Sequence, residues 1–240
     1  MPGETASPRL GLILAAGGSG TRFGRAEGKQ LALLRSRAVL AWSAAAFAHL
    51  VELTAVALVV HPDRLDEYAA HVRPLLREGV ALLVAAGGET RQESVAAGLA
   101  ALPTSCDFIA VHDGARPLVG PELVSSAFAE LAADETAEGL VVGHPAVDTL
   151  KHVKDGIVVA TPDRTLFWAI QTPQIFRAAA LRLAYERAAV DGFTGTDDSA
   201  LVERLGGRVI AFEGPRDNIK VTHAEDLLIA EAILASREGE

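Results

Sequence analysis

Cysteine is nearly missing from this sequence: Cys106 stands alone among 240 residues. One thiol cannot close an intrachain disulfide or build a cysteine-based zinc site, and such usage fits a reducing compartment. Aromatic residues are also scarce, at 5%. The hydrophobic half of the composition therefore rests on aliphatic side chains, many of them alanine. Alanine-rich helices packed closely on a sheet give that balance. Positive charge is the minority: 22 Lys and Arg stand against 31 Asp and Glu, a net charge of −9. General nucleic-acid binding needs clustered cations against phosphates, so a chain this acidic is a poor candidate for it. A local anion site stays open, because local and net charge are separate questions. No apolar run is long enough to span a bilayer. The opening residues, MPGETASPR, lack the apolar centre of a secretion signal. The expectation is a cytoplasmic chain with no membrane or nucleic-acid partner.

What is present is an alternation. Short apolar runs at 10–15, 55–60, 80–84, 108–111 and 139–142 read as strands. Helical patterns lie between them, at 39–49, 62–77, 93–102 and 121–133. Such alternation predicts βαβ units and a mainly parallel sheet. Handedness rules then favour an α/β three-layer sandwich of Rossmann-like type. The alternation breaks after Pro145. Residues 149–161 read as two strands around Asp155-Gly156, a hairpin signal. The expectation is one α/β domain over 1–240, with a projecting β-arm at about 146–170 suited to dimerisation. Helices follow at 178–190, 198–205 and 224–236, with a strand at 208–212. At this length a single α/β domain is ordinary.

In open α/β sheets, ligands sit beyond the carboxyl ends of the strands. Four polar or glycine-rich segments fall there. The first runs from Ala15-Ala16-Gly17-Gly18 through Gly20 and Arg22 to Lys29. Its glycines let backbone N–H groups approach phosphate oxygens, and its cations have the right sign. It matches neither named phosphate motif. Phe23 stands where both the dinucleotide fingerprint and the Walker A loop need glycine. The second segment, Gly87-Gly88-Glu89-Thr90-Arg91-Gln92-Glu93-Ser94, opens a helix, and Thr90 with Glu93 has capping-box spacing. The third, His112-Asp113-Gly114-Ala115-Arg116-Pro117, is either a polar-substrate loop or a tight turn with an internal Asp–Arg pair. The fourth places Lys220 between Ile219 and Val221, where a lysine either snorkels to water or is held against an anion. Thr222 and Glu225 have capping-box spacing before the last helix.

Together these segments resemble the 2-C-methyl-D-erythritol 4-phosphate cytidylyltransferase family of the non-mevalonate isoprenoid pathway. The resemblance rests on LAAGGSGTRFG…KQ, GGETRQESV, VHDGARP, the VDT of 147–149, the DR of 163–164, QTPQIF, TDDSALVE and DNIKVTHAEDL. It implies a nucleotidyltransferase sandwich with a β-arm, usually a homodimer, using Mg²⁺ and CTP. It also implies roles for residues. Ala15, Ala16, Gly17, Gly18, Gly20 and the segment from Gly87 and Gly88 through Glu89 and Arg91 to Ser94 would hold the nucleotide. Arg22 and Lys29 would act on the triphosphate. Asp113, Arg116, Thr172, Thr196 and Lys220 would surround the sugar-alcohol phosphate. Thr149 and Arg164 would reach from the arm into a neighbouring subunit's site, and Arg164 and Lys220 would orient the attacking phosphate. Two positions depart from the family pattern, Gly28 where proline is frequent and Phe23 where methionine is. A ribitol 5-phosphate cytidylyltransferase is the nearest alternative. A non-catalytic nucleotide-binding regulator and an NAD-dependent dehydrogenase are the more distant ones.

Overall fold

The structure is a computed structural model that describes residues 7–18 and 28–238. In chain order the strands are β1 (Leu10–Ala15), β2 (Leu33–Leu34), β3 (Arg37–Ala38), β4 (Leu53–Val60), β5 (Ala81–Ala86), β6 (Phe108–Asp113), β7 (Gly139–Pro145), β8 (His152–Lys154), β9 (Ile157–Ala160), β10 (Trp168–Arg177) and β11 (Val209–Glu213). The helices are α1 (Val39–Ala48), α2 (Leu65–Val72), α3 (Arg91–Ala101), α4 (Pro121–Ala133), α5 (Ala178–Asp191), α6 (Asp198–Arg204) and α7 (Glu225–Glu238).

Among the described residues, seven strands form the central sheet in the order β11-β7-β10-β6-β1-β4-β5. β1 pairs in parallel with β4 and β6, β4 with β5, and β7 with β11. β10 alone runs antiparallel, between β6 and β7. The α/β sandwich is thus as expected. One cluster packs Leu10, Leu12 and Leu14 with Phe47 of α1 and Phe128 of α4. The other packs Ile13 with Val95 of α3, Leu181 of α5 and Leu201 of α6. Alternate residues of β1 thus feed both faces, as a central strand's twofold period requires.

Two readings need correction. The single helix expected over 62–77 is divided: α2 is flanked by short 3₁₀ turns at Pro62–Arg64 and Arg73–Leu75. Pro74 lacks the N–H that would continue the α-helical ladder, and the α-helix ends at Val72. β10 has no counterpart among the strands read from the sequence, and Pro173 within it would argue against a central strand. Its ladder to β7 pairs Ile170 with Gly143 and then Gln174 with Val141, with the irregularity between them. Pro173 sits in that interruption and costs no ladder bond.

The hairpin around Asp155-Gly156 is present as β8 and β9, a separate two-stranded sheet. Asp155 and Gly156 have φ of 51° and 78°, the left-handed pair that a tight hairpin needs. β5 leads to α3, whose N-terminus carries the full capping box: Glu93 N–H donates to Thr90 Oγ1 and Thr90 N–H to Glu93 Oε2. Gly98 lets α3 lie close on the sheet, since a Cβ there would stand 2.6 Å from Ile13 Cγ2.

His112 is fully buried near the end of β6, its ring 5.2 Å from that of Phe47. Its Nε2 lies 3.3 Å from Arg116 O, which only accepts, so Nε2 carries the proton. Nδ1 then accepts from the Thr172 hydroxyl at 3.0 Å. That hydroxyl in turn accepts from Asp113 N–H at 3.1 Å. The arrangement suits a neutral ring. Burial pushes the His112 pKa down to about 3; Asp113 opposes this and Arg116 adds to it.

Two outcomes are expected. Gly98→Ala gains ~1 kcal/mol of helix propensity but incurs ~1–3 kcal/mol of overpacking. The net is a loss of up to ~2 kcal/mol, so calorimetry should show Tm lowered by up to about 8 °C for a chain of this size; a raised Tm would mean that Ile13 moves aside. As for His112, its pKa is lower in the fold than in the unfolded chain. Stability from this group is therefore complete above about pH 6.5 and is lost as pH falls toward 3. Urea unfolding between about pH 7 and pH 4.5 should show that loss, with a shallower dependence in His112→Gln. Identical slopes would discount the histidine.

Candidate active site

The parallel strands end on one edge, and β1 lies where the chain changes direction across the sheet: β4 and β5 are laid on one side of it and β6 on the other. Such a switch point opens a crevice. A cavity of about 680 Å³ occupies it, a size ordinary for small-molecule sites. It is lined from the end of β1 by Ala15, Gly17 and Gly18, and from the next segment by Lys29 and Gln30. His61 and Pro62 come from the end of β4, and Gly87, Gly88, Glu89, Thr90, Arg91 and Ser94 from the β5–α3 turn. Asp113 and Ala115 follow β6, and Lys220 precedes α7.

Two glycine loops meet here at backbone distance. A Cβ on Gly17 would lie 3.3 Å from Gly87 Cα, and one on Gly87 would lie 3.0 Å from Ser94 Oγ. Ala16 N–H donates to Val59 O and Gly87 N–H to Val60 O, which pins both loops to β4. Ser94 Oγ donates to Thr90 O and accepts from Gly88 N–H, so it is the internal brace of the turn.

The charged centre is Asp113, which ends β6. Lys220 Nζ lies 2.6 Å from its Oδ2, Arg91 Nε 3.3 Å from its Oδ1, and Arg116 Nε 3.8 Å from its Oδ2. Burial alone would raise the Asp113 pKa, but Arg91, Lys220 and Arg116 outweigh it and hold the carboxyl far below its ordinary range. Asp113 is therefore ionised and shared by three cations. Arg91 reaches a second carboxylate, with Nη2 2.8 Å from Asp198 Oδ2. Burial alone would lower the Arg91 pKa, but Asp198 and Asp113 outweigh it and raise it. The segment before α7 is fixed by Val221 N–H donating to Ala115 O and by Arg116 Nη1 donating to Asn218 O. Buried Asn218 also donates to Thr172 O and Gln171 Oε1.

The structure divides the residues singled out from sequence. Ala15, Gly17, Gly18, Lys29, Gly87, Gly88, Glu89, Arg91, Ser94, Asp113 and Lys220 line one cavity. Ala16 is buried beneath it, and Arg116 and Thr172 stand behind Asp113 as its partners. Thr149, Arg164 and Thr196 are exposed and do not line the cavity. Arg164 Nη1 instead donates to Val147 O at 2.6 Å, between arm segments. Gly20 and Arg22 lie outside the described residues. Lys220, open between two readings in sequence, is held by a carboxylate of this chain. Thr222 does not use Glu225; its hydroxyl and N–H both donate to Asp226 Oδ2, one residue further on. Gly28 has φ of +76°; a proline, locked near −65°, could not follow that path. Sequence reasoning missed His61 and Pro62, although their place after an apolar strand was the same signal that marked the other loops. It also missed the pairing of Arg91 with Asp198, which has no local pattern.

Similarity to known proteins covers nearly all of this geometry. The family described as IspD: 2-C-methyl-D-erythritol 4-phosphate cytidylyltransferase matches residues 10–236. A protein of that name from Thermosynechococcus vestitus is 40% identical over 228 residues, 94% of this chain and 95% of its own length. A bifunctional IspD/IspF enzyme from Nitratidesulfovibrio vulgaris is also 40% identical, over 93% of this chain, which spans 58% of that longer protein. Among solved structures, 4-diphosphocytidyl-2C-methyl-D-erythritol synthase from Anaerococcus prevotii superposes with a TM-score of 0.82 at 27% identity. That superposition covers 95% of this chain and 99% of the other. The chain therefore belongs to the 2-C-methyl-D-erythritol 4-phosphate cytidylyltransferase family.

Proposed function

We propose that this chain transfers CMP from CTP to 2-C-methyl-D-erythritol 4-phosphate, releasing pyrophosphate and forming 4-diphosphocytidyl-2-C-methyl-D-erythritol. The observation that carries the reading is one cavity lined together by two bare glycine loops, Lys29, Arg91 and Lys220. Two phosphorylated reactants repel each other, and converging cations with fixed amides offset that repulsion.

The acceptor's phosphate monoester has a second pKa of about 6, so it is chiefly a dianion at neutral pH. One of its oxygens bonds to the α-phosphorus of CTP as the bond to the bridging oxygen breaks, and pyrophosphate leaves with that electron pair. No general base is required. In keeping with this, His112, next to Asp113 in sequence, is buried, neutral and committed to Thr172 and Arg116. The loops at 15–18 and 87–94 hold the nucleotide, largely by main-chain groups. Lys29, with Arg22 joining it, stabilises charge on the triphosphate. Lys220, held by Asp113, orients the attacking phosphate for in-line displacement.

The residues present fit a magnesium ion that enters with the triphosphate. Such an ion needs only one or two protein carboxylates beside phosphate oxygens, and Glu89 lines the cavity, whereas Asp113 is already committed to Lys220, Arg91 and Arg116. Among the described residues, no group of three or more His, Cys, Asp or Glu side chains is placed to hold a metal ion. When bound, magnesium would neutralise phosphate charge.

The arm supports a homodimer in which Thr149 and Arg164 serve the neighbouring subunit's acceptor site. Every residue of β8 and β9 is exposed. They include Val153 and its ladder partner Val158 on one face and Ile157 and Val159 on the other, exposed apolar side chains that a partner would cover. The lone thiol fits a reducing cytoplasm.

Pyrophosphate release from CTP, the acceptor and Mg²⁺ is the direct assay. Lys29→Ala is expected to lower kcat by ~10²–10³, the scale for one preorganised donor; near-normal turnover would remove its role. Arg164→Ala should raise KM for the acceptor and leave that for CTP in place. The reverse pattern would sink the arm assignment.

A further inference from the structure

Behind the cavity, Tyr185 of α5 packs in the second apolar cluster and turns its hydroxyl to a buried carboxylate. Asp198 is fully buried at the start of α6. Its Oδ2 meets Arg91 Nη2 at 2.8 Å, and its Oδ1 accepts from the Tyr185 hydroxyl of α5 at 2.6 Å. A buried carboxylate is expensive to desolvate, and helix capping does not explain this one. Capping belongs to its neighbour Asp197, whose Oδ1 accepts from Ala200 N–H. Asp198 is committed elsewhere.

Its partner Arg91 starts α3 and borders the cavity. The guanidinium is gripped at two points, Nη2 by Asp198 from behind and Nε by Asp113 in front. Asp113 in turn holds Lys220 Nζ. A continuous chain thus runs Tyr185–Asp198–Arg91–Asp113–Lys220, linking the helical layer to both the nucleotide loop and the last segment. Two carboxylates face three cations, Arg91, Arg116 and Lys220. The cluster keeps a surplus of one positive charge, and its position is set by the buried end.

Building on the functional reading above, we infer that Asp198 and Tyr185 are positioning residues, which fix the Arg91 guanidinium and, through Asp113, the Lys220 ammonium against the phosphates. Neither touches a reactant. A planar arginine held by two carboxylates has one orientation, whereas one held by Asp113 alone can pivot about it and compete with Lys220 for that carboxylate.

The test uses the full-length chain with Asp198→Asn, Tyr185→Phe, Arg91→Ala and the Asp198→Asn/Arg91→Ala pair. Tm, CTP Kd by calorimetry, and kcat and KM for both substrates are measured, with kcat normalised to titrated active sites. Asp198→Asn is expected to weaken CTP binding about tenfold and lower kcat by about 10–100-fold, the scale of a small misplacement. Tyr185→Phe should lose about two- to tenfold, one hydrogen bond's worth, while remaining folded. In the Arg91→Ala background, Asp198→Asn should add nothing, because both act through the same guanidinium. A merely structural aspartate would lower Tm and the active fraction with Kd and per-site kcat intact, which overturns the inference. Multiplying losses in the pair would overturn it too. An inactive wild type would defeat the functional reading, while the CTP Kd would still report whether Arg91 depends on Asp198.

Discussion

One carboxylate organises this site. Asp113 ends the central strand of the sheet, and Arg116 from the following turn, Arg91 from α3 and Lys220 from the segment before α7 all reach it. Each cation would be costly to bury unpaired, and their mutual repulsion would scatter them. The shared anion turns that repulsion into convergence. It leaves the group with positive charge to spare on the side where phosphates would arrive. The acidic surface of the chain, with its net −9, therefore does not contradict an anion-binding centre. The two live at different distances, and salt screens the surface charges more strongly than the half-buried ones.

Most of the frame was legible because it obeys local rules. The apolar runs that became β1, β4, β5, β6 and β7 are short, bounded by turn residues and separated by helical patterns. Asp155-Gly156 dictates a tight hairpin wherever it stands between strands. The edge rule for open sheets gathers the glycine loops, Asp113 and Lys220 from the sequence alone. β10 was not read from the sequence; its proline speaks against a central strand, and only the ladder shows that the proline falls where no bond is needed. Asp198 escaped for a different reason. Its partner Arg91 is 107 residues away, and no spacing rule reaches that far. In sequence it looks like one more helix-starting aspartate, beside a second one that truly is the cap.

Two kinds of rigidity meet at the cavity. The glycine loops are rigid because they are crowded: Gly17 and Gly87 approach so closely that neither has room for a full side chain, and main-chain bonds to β4 hold both. The charged cluster is rigid because it is electrostatically determined. Crowding presents amides, and charge balance presents cations. A triphosphate requires both, amides for close contact with individual oxygens and cations for the bulk of the charge.

The antiparallel strand of the central sheet has an architectural consequence. Because β10 runs against its neighbours, the chain leaves β7 and re-enters the sheet at the same edge, and Pro145 and Trp168 are direct ladder partners. Everything between them hangs from two adjacent footings. Lengthening, shortening or resculpting that excursion shifts no register elsewhere. The fold thus carries a modular appendage beside its reactive edge, open to diversification while the sheet and its charge cluster stay fixed.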